Sequence, residues 1–216
     1  MVTEILKEQA MAAADWERVG AALRGGGLVA LPSDTVYGLA CLATISEAVE
    51  RIYDVKGRDR QKPVALVFTA VEQIGALIPD LPPEIRSALA GIMPGPVTAI
   101  VPFGEGAGGI HVRGGGSIGV RIIAPPEGDL YRFLPGPLAV TSANLSGHED
   151  PGVATDIPPE VSEACDFVID SGRRGSCIPS TVVDLRPLTA GKTPEILREG
   201  TLDYHEIVRC CEQKQK

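Results

Sequence analysis

Four polar segments interrupt or abut apolar runs of this chain, and their residue types suit anion binding more than attack by a nucleophile. The first is Pro32 to Gly38 (Pro-Ser-Asp-Thr-Val-Tyr-Gly), and the second runs from Lys56, Gly57 and Arg58 to Lys62 and Pro63. The third, Thr141 to Gly147, carries Ser142, Asn144 and Ser146, and the fourth is Pro179-Ser180-Thr181. For one serine, threonine or asparagine the ordinary role is a turn or a helix cap. Recurrence at four strand ends, where α/β proteins build ligand sites, points to a shared site instead.

The second segment places Lys56, Arg58, Arg60 and Lys62 within seven residues at a predicted helix end. Cations there can complement the helix dipole from solvent. They can also clamp a polyphosphate, the guanidinium as a fork and the ammonium as a point charge. Arg121 lies inside the apolar run Ile118 to Ile123, where strand alternation directs some side chains into a covered face. An inward arginine needs an anion, and a substrate carboxylate or a partner aspartate would each satisfy it.

Several chemistries are absent from the motifs. There is no G-x-x-x-x-G-K-S/T phosphate loop, no G-x-S-x-G elbow and no H-E-x-x-H. Gly104, Gly106 and Gly109 spell G-x-G-x-x-G, but Gly114, Gly115 and Gly116 follow too soon for a helix that would cradle a pyrophosphate. The segment Gly104 to Gly116 reads better as a surface loop or a lid. His111, His148 and His205 share no metal-ligand spacing with cysteine, so no protein-held metal is expected. The five cysteines are odd in number and none sits in a C-x-x-C pair, no secretory or transit segment opens the chain, and a reducing cytoplasm is the expected compartment. No apolar run approaches a membrane span.

The elements that must position these residues follow from periodicity. The 216 residues are 44% hydrophobic and 22% charged, which fits one soluble domain with a sizeable core. The net charge of −8 argues against broad attraction to nucleic-acid backbones or anionic lipid, so any anion site must be local. Ala12, Trp16, Val19 and Leu23 predict a helix over 10–24, stopped by Gly25 to Gly27 and followed by a strand over 28–31. Thr44 and Glu47 have capping-box spacing, and Ala48, Ile52 and Val55 stripe a helix ending near Gly57. Strands are predicted over 64–68, 97–103, 118–123, 138–141, 167–169 and 182–185, and helices over 71–77, 83–90, 127–134, 158–165 and 203–211. The result is an α/β chain: a single domain over 1–212 built on one twisted, mixed sheet with flanking helices, with the successive strands of 97–123 antiparallel and 213–216 as a flexible tail.

Taken in order, these segments resemble the YrdC-like family, which includes the threonylcarbamoyl-AMP synthases that act in making N6-threonylcarbamoyladenosine at position 37 of tRNA. Pro32 to Gly38 is similar to the family's P-S/T-D/E-T-x-Y-G-L segment, Lys56 and Arg58 to its K-x-R pair, and Met93 to Thr98 to its P-G-P-x-T turn. Gly119-Val120-Arg121 is similar to its x-V-R strand, and Ser142 with Asn144 to its S-x-N pair. Ser180 to Asp184 matches its S-T-V-x-D and Leu197 to Gly200 its L-R-x-G. Each match is weak alone; seven in one order span most of the chain.

The resemblance implies a YrdC-like fold with an open concave cleft, and a reaction in which L-threonine, bicarbonate and ATP give L-threonylcarbamoyladenylate and pyrophosphate. It implies that Thr35 and Arg121 hold threonine, that Lys56, Arg58 and Lys62 face the phosphates, and that Ser117, Ser142, Asn144, Ser180 and Arg198 line the nucleotide side. Lys56, Arg58, Ser142 and Asn144 would be the catalytic set. Mg2+ would arrive with ATP, and the product would pass to a tRNA-modifying threonylcarbamoyl transferase complex. Tyr37 would pack either under the substrate or in the core. Some longer members carry asparagine in place of Lys62, histidine in place of Val67 and a second domain, so this chain resembles the short type. Two other activities occur among relatives, double-stranded RNA binding and carbamoyl adenylation from carbamoyl phosphate; the K-x-R and S-x-N pairs favour the synthase.

Overall fold

The structure, a computed structural model, describes residues 3–104, 109–112, 115–123, 135–173 and 177–213. The helix predicted over 127–134 lies outside the described residues, as do parts of the segment Gly104 to Gly116. In chain order the elements are β1 (Glu4–Lys7), α1 (Ala13–Arg24), β2 (Val29–Leu31), β3 (Gly38–Leu42), α2 (Ser46–Lys56), β4 (Ala65–Phe68), α3 (Val71–Leu77) and α4 (Pro83–Ile92). They continue with β5 (Val97–Pro102), β6 (Ser117–Ile122), β7 (Leu138–Ser142), α5 (Pro159–Ser162), β8 (Phe167–Asp170), β9 (Thr181–Asp184), β10 (Glu195–Arg198) and α6 (Tyr204–Gln213).

The described strands form one sheet in the order β1-β8-β2-β3-β7-β4-β6-β5-β9-β10. Pairing is mixed: β1 and β2 each run parallel to β8, β4 to β6 and β5 to β9, while the other neighbours are antiparallel. The antiparallel β5–β6 pair is the one that the successive strands of 97–123 predict.

Alternation along the central strands creates two unequal faces. Val97, Ala99, Val101, Ile118, Val120, Ile122, Leu66 and Ala139 point into the larger core, under Ile52 and Tyr53 of α2, Ile85 and Leu89 of α4 and Ile207 of α6. On the other face Trp16, Val19 and Leu23 of α1 cover Val29, Leu31, Ala40 and Ile169. That single helix spans only the β8-β2-β3 side of the sheet. Ala65, Val67, Thr98, Ile100, Gly119, Arg121 and Val182, which share its face, are left as the floor of a cleft.

Local differences from the sequence reading have local causes. α2 starts at Ser46 with Ile45 as its cap and no side-chain capping bond, because Ala43 and Thr44 are spent in a turn closed by Ile45 N–H to Leu42 C=O. Its end is as expected: Gly57 adopts φ 58°, a left-handed conformation that glycine accepts without a Cβ clash. The helix predicted over 158–165 is confined to Pro159–Ser162. The chain must turn there to bring Asp166 against Leu28, whose carbonyl takes the Asp166 N–H at 2.8 Å. Strands β1, β3 and β10 were not predicted. β3 is buried at every position, so it shows no alternation, and β1 and β10 are short edge strands with exposed side chains. The helix α6 carries the backbone to Gln213, and residues 214–216 lie outside the described residues.

Candidate active site

The cleft has a volume of about 340 Å³, and the elements around it each deliver one polar feature to the floor between β7 and β9. From the β2–β3 loop come Ser33 and Thr35, from the segment after α2 comes Arg58, from β7 comes Ser142, and from the β9–β10 side come Ser180 and Arg198. Arg121 rises from the floor itself.

Ser33 shapes the first loop. Its hydroxyl donates to the Val36 carbonyl at 2.6 Å and accepts from the amides of Thr35 and Val36 at 3.1 and 3.2 Å. This turn sets the Thr35 hydroxyl 3.0 Å from Ser33 Oγ and within reach of Arg121, whose Nη2 donates to it at 3.1 Å. The same Nη2 donates to the Asp34 carboxylate in an ion pair that is largely buried on both sides. Among the described residues, the anion that meets the inward arginine is thus a partner aspartate. Arg121 shares the cleft face because it alternates with the core residues Val120 and Ile122, and Gly119 beside it leaves the floor open.

Arg58 and Arg198 are held differently. Arg58 donates from Nε to Lys62 C=O at 3.2 Å and from Nη2 to Pro63 C=O at 2.9 Å, and Arg198 donates to Ser180 C=O at 2.8 Å. Burial pulls the Arg58 guanidinium below its ordinary value; Tyr53 and Asp59 oppose this and Arg198 adds to it. Two cations close enough to repel, anchored among the described residues on neutral oxygens, form a place for a polyanion. Ser180 Oγ also lies 2.9 Å from Thr98 Oγ1, which fixes it at the mouth of β9. The glycine of L-R-E-G makes this possible: a Cβ on Gly200 would stand 2.3 Å from Pro179 O and 2.5 Å from Ser180 C.

Lys56 does not line the cleft. It is 3% exposed, and its ammonium donates to the carbonyls of Ser142 and Asn144 and to Asn144 Oδ1, the last two at 2.5 and 3.0 Å. Burial and then the Arg58 charge lower it to about 8, with Asp150 opposing. Asn144 Oδ1 accepts from Ser142 Oγ at 2.6 Å, and its Nδ2 donates to His148 C=O at 2.6 Å. The K-x-R lysine and the S-x-N asparagine therefore form one buried brace that presents Ser142 to the cleft. Lys62 is exposed on the loop and Ser117 starts β6 beyond the lining residues, so neither borders the cleft. Arg60 pairs with Glu50 and Asp54 on the exposed side of α2, the solvated role open to such cations.

Tyr37 is a core residue that also borders the cleft. It is fully buried, and its hydroxyl donates to Gly172 C=O at 2.7 Å and accepts from Ser171 N–H at 3.0 Å. The described centre of the glycine-rich segment, residues 109–112, is not over the cleft: Ile110 and Val112 are buried in the helix-covered core and His111 N–H donates to Ala43 C=O at 3.0 Å. Two polar lining residues outside the four polar segments were missed in the sequence. Thr98 lies in the P-G-P-x-T turn and was legible there, whereas Asp150 carries no local signal.

The family model Sua5/YciO/YrdC, described as "Telomere recombination", matches residues 21–200. The chain is 32% identical over 186 residues to the threonylcarbamoyl-AMP synthase of Pyrococcus abyssi, covering 86% of this chain and 54% of that protein. It is 37% identical over 177 residues to the human threonylcarbamoyl-AMP synthase, covering 76% and 61%. The crystal structure of P. abyssi Sua5 complexed with L-threonine superposes with a TM-score of 0.82 at 29% identity, over 99% of this chain and 62% of that one. The chain thus spans about half to three-fifths of the length of these relatives.

Proposed function

This chain belongs to the Sua5/YciO/YrdC family, and from that premise we propose that it is a threonylcarbamoyl-AMP synthase, converting L-threonine, bicarbonate and ATP to L-threonylcarbamoyladenylate and pyrophosphate. The observation that carries the reading is one cleft with two different sets of polar groups: Arg58 and Arg198, near enough to repel, and Arg121 with Thr35.

The chemistry suits such a cleft. The threonine amine takes up carbon dioxide or bicarbonate to give a carbamate. A carbamate oxygen then attacks the α-phosphorus of ATP, and the bond to the bridging oxygen breaks as pyrophosphate leaves. Positioning and neutralisation of the phosphates provide most of the acceleration, so no protein nucleophile is needed. Arg58 and Arg198 hold the triphosphate, Ser180 donates to its oxygens, Ser142, whose proton goes to Asn144, lines the site, and Arg121 with Thr35 binds the amino acid. Lys56 and Asn144 act through Ser142. Mg2+ would arrive with the nucleotide and offset phosphate charge, and Asp150, a carboxylate of the cleft lining, would be its protein ligand. The product is a labile mixed anhydride, so a tRNA-modifying threonylcarbamoyl transferase would consume it.

The test is pyrophosphate release from ATP and bicarbonate with L-threonine, with L-serine and with no amino acid. Release that depends on threonine is expected. Equal release in all three overturns the proposal, and release supported by carbamoyl phosphate in place of threonine would point to carbamoyl adenylation.

A further inference from the structure

The three guanidiniums of the cleft are not equivalent. Among the described residues Arg58 and Arg198 rest on neutral oxygens, the carbonyls of Lys62, Pro63 and Ser180, and neither touches a carboxylate. Arg121 is paired with Asp34, and the pair is 10% and 14% exposed at its side chains. Arg121 borders the cleft, whereas Asp34, on the β2–β3 loop, is not among the residues that line it. The carboxylate thus leaves room for a ligand but sets the charge of the place the ligand occupies.

We propose that Asp34 is a specificity-determining residue that makes the Arg121 end of the cleft selective for a zwitterion. The inference rests on the function proposed above and concerns its amino-acid subsite. A lone buried arginine attracts any anion, including the triphosphate and inorganic phosphate that the same cleft must admit a few residues away. Paired with Asp34, Arg121 has its charge offset by a carboxylate. A phosphate arriving there meets the repulsion of the Asp34 carboxylate as well as the attraction of the guanidinium, and in a partly desolvated site the two nearly cancel. An α-amino acid brings an ammonium beside its carboxylate, so it gains from both members of the pair. The cleft is in this way divided into a bare cationic end for the nucleotide and a neutral, polarised end for the acceptor. The surroundings strengthen the division, since Val67, Ile123 and Val140 line the floor around Arg121 and supply no competing charge.

The experiment compares L-threonine with its des-amino analogue 3-hydroxybutanoate and with inorganic phosphate, by calorimetric binding and as inhibitors of threonine-dependent pyrophosphate release. The wild-type chain is expected to bind threonine at least about 10-fold more tightly than 3-hydroxybutanoate, the effect of one screened charge contact. In Asp34→Asn that preference falls by about 10-fold and phosphate becomes competitive with threonine; Asp34→Glu, which keeps the charge, retains the preference. Equal affinity of the wild-type chain for threonine and its des-amino analogue overturns the inference whether or not Asp34→Asn folds. An unchanged ratio in a folded Asp34→Asn overturns it as well. A wild-type chain that binds threonine but releases no threonine-dependent pyrophosphate defeats the proposed reaction and leaves the binding ratios to decide the role of Asp34.

Discussion

Lys56 and Asn144 are joined twice, the lysine ammonium donating to the asparagine's backbone carbonyl at 2.5 Å and to its side-chain oxygen at 3.0 Å. With the third bond to the Ser142 carbonyl, the end of α2 holds the loop that follows β7. The lysine acts as a strut of the site, and its consequences can be measured.

The first consequence is a pH limit. Lys56 loses its proton near pH 8 in the folded chain, against an ordinary value of 10.5, chiefly because burial disfavours the charged form. A neutral amine keeps two N–H donors for three oxygens. Threonine-dependent turnover is therefore expected to fall as pH rises through about 8. Stability moves the other way: from about 8 to 10.5 the unfolded chain holds more protons at this group, so its contribution to stability rises with pH. Activity that falls while the melting temperature of wild type relative to Lys56→Met does not fall would separate the strut from unfolding. Lys56→Ala strands the three oxygens and should cost about 3 kcal/mol in chemical denaturation.

Arg58→Ala removes one jaw of the cationic end. ATP affinity should weaken by about 2 kcal/mol, roughly 30-fold, with threonine affinity little changed. Steady-state KM values for the two substrates check this, and a rise confined to threonine would contradict the assignment of the ends.

Gly200→Ala places a methyl carbon on the backbone of Pro179 and Ser180, which cannot swing aside as a side chain can. The expected cost is about 1–3 kcal/mol of stability. A larger relative loss should appear in ATP KM than in threonine KM, because the displaced segments carry Ser180, just before β9, and its partner Arg198 on β10.

Tyr37→Phe tests the placement of an aromatic residue between substrate and core. Losing its bonds to Gly172 and Ser171 should destabilise the chain by about 1–3 kcal/mol in thermal or urea unfolding. Threonine KM should stay within about twofold, because the hydroxyl's partners, Gly172 and Ser171, are not among the residues that line the cleft.

Much of the site was visible in residue order. Arg121 stands out because its parity within β6 is opposite to that of Ile118, Val120 and Ile122, which marks it as facing away from the larger core. Lys56 and Arg58 also stand out, two residues apart, but spacing could not say that one would be buried and the other would border the cleft. That difference comes from the left-handed turn at Gly57, which reverses the chain between them.

The sequence by itself determined the alternation of β5 and β6, the stops at Gly25 and Gly57, and the loops that hold hydroxyls and cations. These depend on local conformational preference and on a periodicity of two or 3.6 residues. Only the tertiary structure decided that Asp34 meets Arg121, 87 positions away, or that Lys56 braces Asn144, 88 positions away. It also decided that β3 is an interior strand and that one helix covers only the β8-β2-β3 side of a sheet face. Periodicity reports which face a side chain takes but carries no information on which distant strand lies beside it. That choice is made by the pairing of the whole sheet, where β2 runs parallel to β8 and β4 to β6 across long stretches of chain.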